Sequence, residues 1–341
     1  MFFSIRRFIS DVCIGGCCFI CGAKPSQAEF NDEHVLPDWL LRMFALHGRR
    51  ITLPNLSSFQ YGRYTIPCCI TCNAAMGRRF ESPIREAVTG GYAALRAHLD
   101  RSGPALLYAW LSLIFLKTHL RDRAFRVHRD LRKPDTKIAD WYEWEELHHV
   151  HCVARSFHTR ALWTPGIVGS MLVMKASTDM GDELFDYADL YAARTMLLRI
   201  NDICIVAVMN DSGMVLPFIQ GAVLRKIDAP PAGIQLRELM ARCALLNLKI
   251  RERPTFRTAI NERGEVALFA DPPTQSPRVG KILKKEFGLM LYGALLPFVT
   301  DLRDQHGKAL STRVKRGQIS FLFNSEGQFI KEPFVPVGNP P

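Results

Sequence analysis

The chain has 341 residues, of which 48% are hydrophobic and 23% charged, and it carries a formal net charge of +11 with a pI near 9.3. That balance suits a globular protein with a sizeable core and excludes a short, disulfide-dense scaffold. Length sets a prior of two domains, and the cationic excess favours polyanionic partners, nucleic acid first and an acidic membrane second.

In chain order, the opening "MFFSIRRFISDVCIGG" is apolar in places but broken by Arg6, Arg7 and Asp11, and it lacks small-residue cleavage chemistry. It does not read as a signal peptide. Seven of the ten cysteines follow within the first 72 residues (Cys13, Cys17, Cys18, Cys21, Cys68, Cys69, Cys72), and only Cys152, Cys204 and Cys243 come later. "DEHVLPDWLLRMFALHG" starts at a turn and predicts a helix with Trp39, Leu40, Met43, Phe44 and Leu46 on its apolar face and a stop at Gly48. "ITLPNLSSFQYGRYTIP" reads as strands with Gly and Pro breaks, and "ITCNAAMGRRFESPIREAV" as a helix ending at Gly90 and Gly91.

From Pro104 one long helix is predicted over 104–131. Its basic second half runs through Lys117, Arg121, Arg123, Arg126 and Arg129 to Arg132 and Lys133, and reads as a solvated face. Residues 145–228 read mostly as strands: "VHCVARSF", "IVGSMLVMKA", "TMLLRI" and "ICIVAVM" are rich in β-branched and apolar residues. "ICIVAVMNDSGMVLPFI" has the pattern of a hairpin turning at Asn210, Asp211, Ser212 and Gly213. Helices are predicted over 234–253 and 278–296, and "QISFLFNSEGQFI" as a last hairpin. The longest apolar runs, "PALLYAWLSLIFL" and "FGLMLYGALLPFV", fall short of the ~20 residues that span a bilayer, so both read as buried helices. A cytoplasmic protein with reduced thiols is the expectation.

The chemistry-bearing pattern is N-terminal. Cys18-Phe19-Ile20-Cys21 and Cys69-Ile70-Thr71-Cys72 are two CxxC pairs. Each can aim two thiolates at one ion, and together they complete a tetrahedron about 2.3 Å from zinc. Gly22 supports the first knuckle by letting backbone amides turn toward a thiolate. The competing readings are buried apolar thiols, a ligand role for Cys17 or Cys68 instead, or a redox CxxC, which lacks a thioredoxin-like βαβ context here.

Between the pairs lies "NDEHVLP". The order CxxC, Glu-His-x-x-Pro, CxxC-Asn, in the fuller run "CFICG…NDEHVLPDWL…CCITCNAAMGRRFE", resembles the zinc-bearing branch of the HNH endonucleases from Cys18 to about Glu86. That resemblance implies a ββα-metal fold in which a β-hairpin carries the histidine and a helix closes a divalent ion against it. It implies His34 as general base, Glu33 as the acidic metal ligand and Asn73 as the helix-borne ligand. It also implies Cys18, Cys21, Cys69 and Cys72 as structural zinc ligands. An imidazole titrates near neutral pH, and a carboxylate with an amide oxygen suits a hard ion such as Mg²⁺. In an extended segment Glu33 and His34 would face opposite sides, so a local twist must aim both inward. The family's final histidine is replaced here by Asn73. Its middle asparagine has no counterpart in "YGRYTIP", Asn55 being the nearest candidate. Outside this pattern, Glu33 also reads as a first-turn acid, Asn73 as a backbone partner near the knuckle, and His34 as a capping or packing residue. Arg49, Arg50, Arg63, Arg78, Arg79 and Arg85 make the segment basic, as phosphate contacts or ordinary surface charge.

The expected architecture is α+β: a zinc-stapled ββα-metal module over 1–92 and a larger mixed domain over 93–341. The expected function is metal-dependent hydrolysis of DNA phosphodiester bonds, with structural Zn²⁺ and a catalytic Mg²⁺ or other divalent ion. The alternatives are a zinc-dependent nucleic-acid-binding module that does not cut, and a zinc staple in a chain that binds protein.

Overall fold

The computed structural model describes residues 3–179, 183–260, 262–296, 303 and 309–333. In chain order its elements are α1 (Ile5–Arg7), β1 (Phe30–His34), α2 (Asp38–Met43), β2 (Arg50–Thr52), β3 (Ser58–Gln60) and β4 (Thr65–Cys69). They continue with α3 (Ile70–Met76), α4 (Ser82–Thr89), α5 (Gly91–Ser102), α6 (Ala105–Asp122), α7 (His148–Ala154), α8 (Ser156–Thr159) and β5 (Leu162–Trp163). Then come β6 (Met171–Lys175), β7 (Phe185–Leu190), β8 (Thr195–Ile200), β9 (Ile203–Val208), α9 (Leu216–Ala222) and α10 (Gly233–Lys249). The described chain closes with β10 (Thr255–Ile260), β11 (Val266–Asp271), α11 (Lys284–Leu295) and α12 (Ser311–Lys315). The protein is mixed α+β, and no described helix is long and apolar enough to cross a membrane. The tail of the apolar run at 287–299 lies outside the described residues beyond 296.

Two compact units form. The first comprises Met1–Thr89, Ser102–Ile167 and Phe256–Ala270. Its centre is α6, from Leu107 to Leu120 buried on every side, so the cysteine-bearing segment shares a core with a helix distant in sequence. β1 and β4 pair antiparallel, Phe30 opposite Cys69 and His34 opposite Thr65, and β4 runs directly into α3. A second small ladder pairs β2 with β3, and a third sheet has the order β10-β11-β5.

α6 stops at Asp122 instead of running on to Leu131. The Asp122 carboxylate is drawn into the core by the Tyr64 hydroxyl, and the chain turns there. The basic residues beyond it do not form one solvated helix face: Arg123 donates to the carbonyl of Val12 at 2.7 Å, and the segment carries a β-bridge between Arg126 and Lys137. "VHCVARSF" is helical, not extended: α7 covers most of it, because His151 and Arg155, one turn apart, must reach the same partner from one face.

The second unit comprises Gly90–Arg101, Val168–Thr255 and Asp271–Pro341. Its antiparallel sheet has the order β6-β9-β8-β7. Every residue of the central strands β8 and β9 is buried, as expected where both faces of a sheet are covered. α10 packs on β8, β9 and α11, and its buried Arg237 pairs with Asp186 (Nε to Oδ2, 2.7 Å) while donating to the Ala294 carbonyl. The hairpin expected at 210–213 is instead a strand–turn–helix. Asp211 accepts from the amides of Gly213 (3.3 Å) and Val215 (2.8 Å), which starts α9 where a hairpin would have returned a strand. "QISFLFNSEGQFI" turns back as predicted, but only one bridge, Phe323 to Phe329, holds it as β structure.

Candidate functional site

The thiols of Cys18, Cys21, Cys69 and Cys72 converge, all four sulfurs lying within 4.8 Å of one another. Cys21 and Cys69 are 3.6 Å apart, close to the roughly 3.8 Å edge of a tetrahedron with 2.3 Å metal–sulfur bonds. This cluster can hold a metal such as zinc. The first knuckle folds as its sequence suggests. The Gly22 amide bonds the Cys18 carbonyl at 2.8 Å, the Cys18 amide bonds that of Ala23, and the Ala23 amide points at the Cys21 sulfur. Gly22 has φ +79°, and a Cβ there would meet the Phe3 ring at 2.5 Å, so glycine is required twice over. The second knuckle straddles the start of α3, Cys69 preceding the helix and Cys72 in its first turn. Cys68 is close, 3.8 Å from Cys18, but is not one of the converging four. Hydrogen bonds from Cys21, Cys68 and Cys72 converge on the Cys18 sulfur and pull its pKa down, while the same contacts push the thiols of Cys21, Cys68 and Cys72 up.

A support for the first knuckle that sequence reading missed comes from α7. Buried His151 donates from Nε2 to the Phe19 carbonyl at 2.8 Å, and Arg155 donates from Nε to the Ile20 carbonyl at 2.8 Å. Burial drives the His151 pKa well below its usual value, so the ring is neutral and its Nε2 carries the proton this bond uses.

β1 then sorts the acid from the histidine by its alternation. Glu33 is turned into the core, where its carboxylate takes a 2.6 Å ion pair from the Lys117 ammonium. The same ammonium donates to the His34 carbonyl at 2.7 Å. Lys117 is thus no part of a solvated face: its side chain is 1% exposed. A lone lysine inside a run as apolar as "ALLYAWLSLIFLK" is the signal that could have announced a buried partner. Asn73 donates its amide to Asn31 Oδ1 at 2.9 Å. Asn55 caps its own turn through the Ser57 amide and reaches the Arg126 carbonyl. The backbone at His34 is instead braced by Lys117 and, one residue on, by the Val35 amide bonding the Tyr64 carbonyl.

The half-buried His34 ring comes together with Asp38 and His47, one donor atom of each lying within 4.8 Å of the others. Asp38 starts α2. Ala45 at φ +51° turns the chain after that helix, and the Gly62 amide holds the His47 carbonyl, which brings the His47 ring back over Asp38. Partial burial works against the Asp38 carboxylate, but hydrogen bonds from His47 and Arg42 outweigh it and keep its pKa below the usual value. Arg42, Arg49, Arg50, Arg63, Arg78, Arg79 and Arg85 are all exposed, though Arg79 spends one donor on the Phe157 carbonyl.

Glu81 is the other acid of this neighbourhood. Burial raises its pKa from 4.5 to about 7, opposed by Lys117 and reinforced by Glu33 and Asp38. The folded state therefore holds this proton more tightly than the unfolded chain, and Glu81 should erode stability progressively between pH 4.5 and 7. Glu81→Gln should remove that slope and stabilise the protein by about 2 kcal/mol at pH 8 in chemical denaturation. A pH profile unchanged by the substitution would contradict this burial.

Comparison with family models, curated proteins and solved structures yields no match to this chain.

Proposed function

We propose that the N-terminal unit is a zinc-stapled, metal-dependent phosphodiesterase acting on DNA, of the HNH type that its motif order resembles, with His34 as general base. The observation that carries this reading is the meeting of the two CxxC pairs on either side of β1, with His34 left at a basic surface while Glu33 is not. Zinc at Cys18, Cys21, Cys69 and Cys72 closes the loop between the knuckles and fixes β4 and α3 against β1. His34 takes the proton from the attacking water; the water oxygen bonds to phosphorus as the bond to the leaving oxygen breaks. A divalent ion, when bound, supplies stabilisation of the charge on that leaving oxygen. The exposed arginines hold the phosphate backbone by charge, without reading bases.

His34→Ala should keep zinc and fold but lower the nicking of plasmid DNA in Mg²⁺ or Mn²⁺ by about 100-fold or more. An undiminished rate would defeat the mechanism. A second reading, a zinc-dependent nucleic-acid-binding module that does not cut, draws support from Glu33 being engaged by Lys117. Salt-dependent DNA binding with no hydrolysis by the wild-type protein would establish it instead.

A further inference from the structure

We propose that Asp38 and His47 bind a divalent transition-metal ion beside His34, in place of the Glu33 and Asn73 pair that the motif suggests; the inference rests on the hydrolase reading above. Glu33 is 7% exposed and neutralises a lysine that is itself buried. Withdrawing it to ligate an ion would strand that ammonium in the core. Asn73 is on β1's Asn31. The residues that do converge are on the other side of the strand.

His47 Nε2 and Asp38 Oδ1 are 2.9 Å apart, a separation suited to neighbouring donors around one small ion. The other Asp38 oxygen, Oδ2, accepts from Arg42 Nε at 2.6 Å, which orients the carboxylate in the way outer-shell partners orient metal ligands. Asp38 is only partly buried, open enough for an ion to reach, and His47 is exposed. His34 stands edge-on to His47, ring centroids 6.0 Å apart, within reach of the same space. One imidazole and one carboxylate leave most of the ion's coordination open to water and a phosphate oxygen, and the mixed donor set favours a first-row ion such as Mn²⁺ over Ca²⁺. His34 remains free for proton transfer.

The test is a Mn²⁺ titration of the zinc-loaded full chain followed by electron paramagnetic resonance, with pulsed detection of nitrogen coupled to bound manganese. Wild type should show one histidine nitrogen coupled to Mn²⁺. His47→Ala should abolish that coupling and weaken binding more than about tenfold, and Asp38→Asn should weaken it similarly. His34→Ala should retain both affinity and coupling. Wild-type affinity and coupling in both His47→Ala and Asp38→Asn would overturn the site, as would their loss in His34→Ala. His47 is exposed, so its substitution keeps the test valid should Asp38→Asn fail to fold. The two readings part cleanly: Mn²⁺ bound through His47 by a protein that never cleaves DNA sinks the hydrolase and leaves the site standing. Cleavage at full rate by His47→Ala and Asp38→Asn does the reverse.

Discussion

Cys72→Ser should strip the metal from the protein and unfold the first unit with it. The Cys72 thiol is 3% exposed in the first turn of α3, and it meets sulfurs from a segment some 50 residues away in sequence. In that segment the knuckle itself has no regular secondary structure between α1 and β1 beyond one π-helical stretch at Phe8–Ile14. Structural zinc sites contribute about 10–16 kcal/mol of apparent binding free energy, against a total domain stability of about 5–15 kcal/mol. Removing one thiolate from such a site therefore consumes most of what holds the unit together. His151 and Arg155 would lose the carbonyls they grip, and the shared core around α6 would open. Elemental analysis together with near-ultraviolet circular dichroism measures both losses; treatment of wild type with a strong chelator should reproduce them. A Cys72→Ser protein that melts like wild type would mean that the thiols are mere packing.

The second large effect is electrostatic. Lys117→Met should destabilise the protein by about 3–5 kcal/mol, because it leaves the Glu33 carboxylate in the core with no cation. It also frees the His34 carbonyl and removes the cation that moderates Glu81. Glu33→Gln in the Lys117→Met background should recover much of the loss, since a neutral amide no longer demands a counter-charge. Urea denaturation of the two single variants and the double closes the cycle. A cost below about 1 kcal/mol for Lys117→Met would show that Glu33 can leave the core freely, and the case for Asp38 and His47 as the ion's ligands would weaken with it.

How much of this could be read from the chain differs by scale. The helix at α10, the strands at β8 and β9 and the α3–α4 segment were legible because hydrophobic periodicity is a local property. α7 was not. Its Val150, Cys152 and Val153 suit a strand by propensity, and it is helical because His151 and Arg155 must both face the first knuckle. Asp211 misled in the same way: a turn signal by residue type became a helix start once its carboxylate was buried against Ser170. The basic stretch running past the end of α6 looked like a solvated face because charge does not announce a distant carbonyl, as Arg123 found at Val12.

From its letters, the chain marked two CxxC knuckles, since that spacing, and for the first a glycine after its second cysteine, are short-range geometry. That the knuckles meet, and that Cys68 is not one of the four, was decided by the fold. Which side of β1 would face solvent was decided elsewhere. Alternation guarantees that Glu33 and His34 point apart, but not which of them turns inward. That choice fell to Lys117, 84 residues away from Glu33, whose buried charge could be carried into the core only by taking the acid with it. With Glu33 so committed, His34 was left on the other face, where Asp38 at the start of α2 and His47, returned by the turn after that helix, meet it.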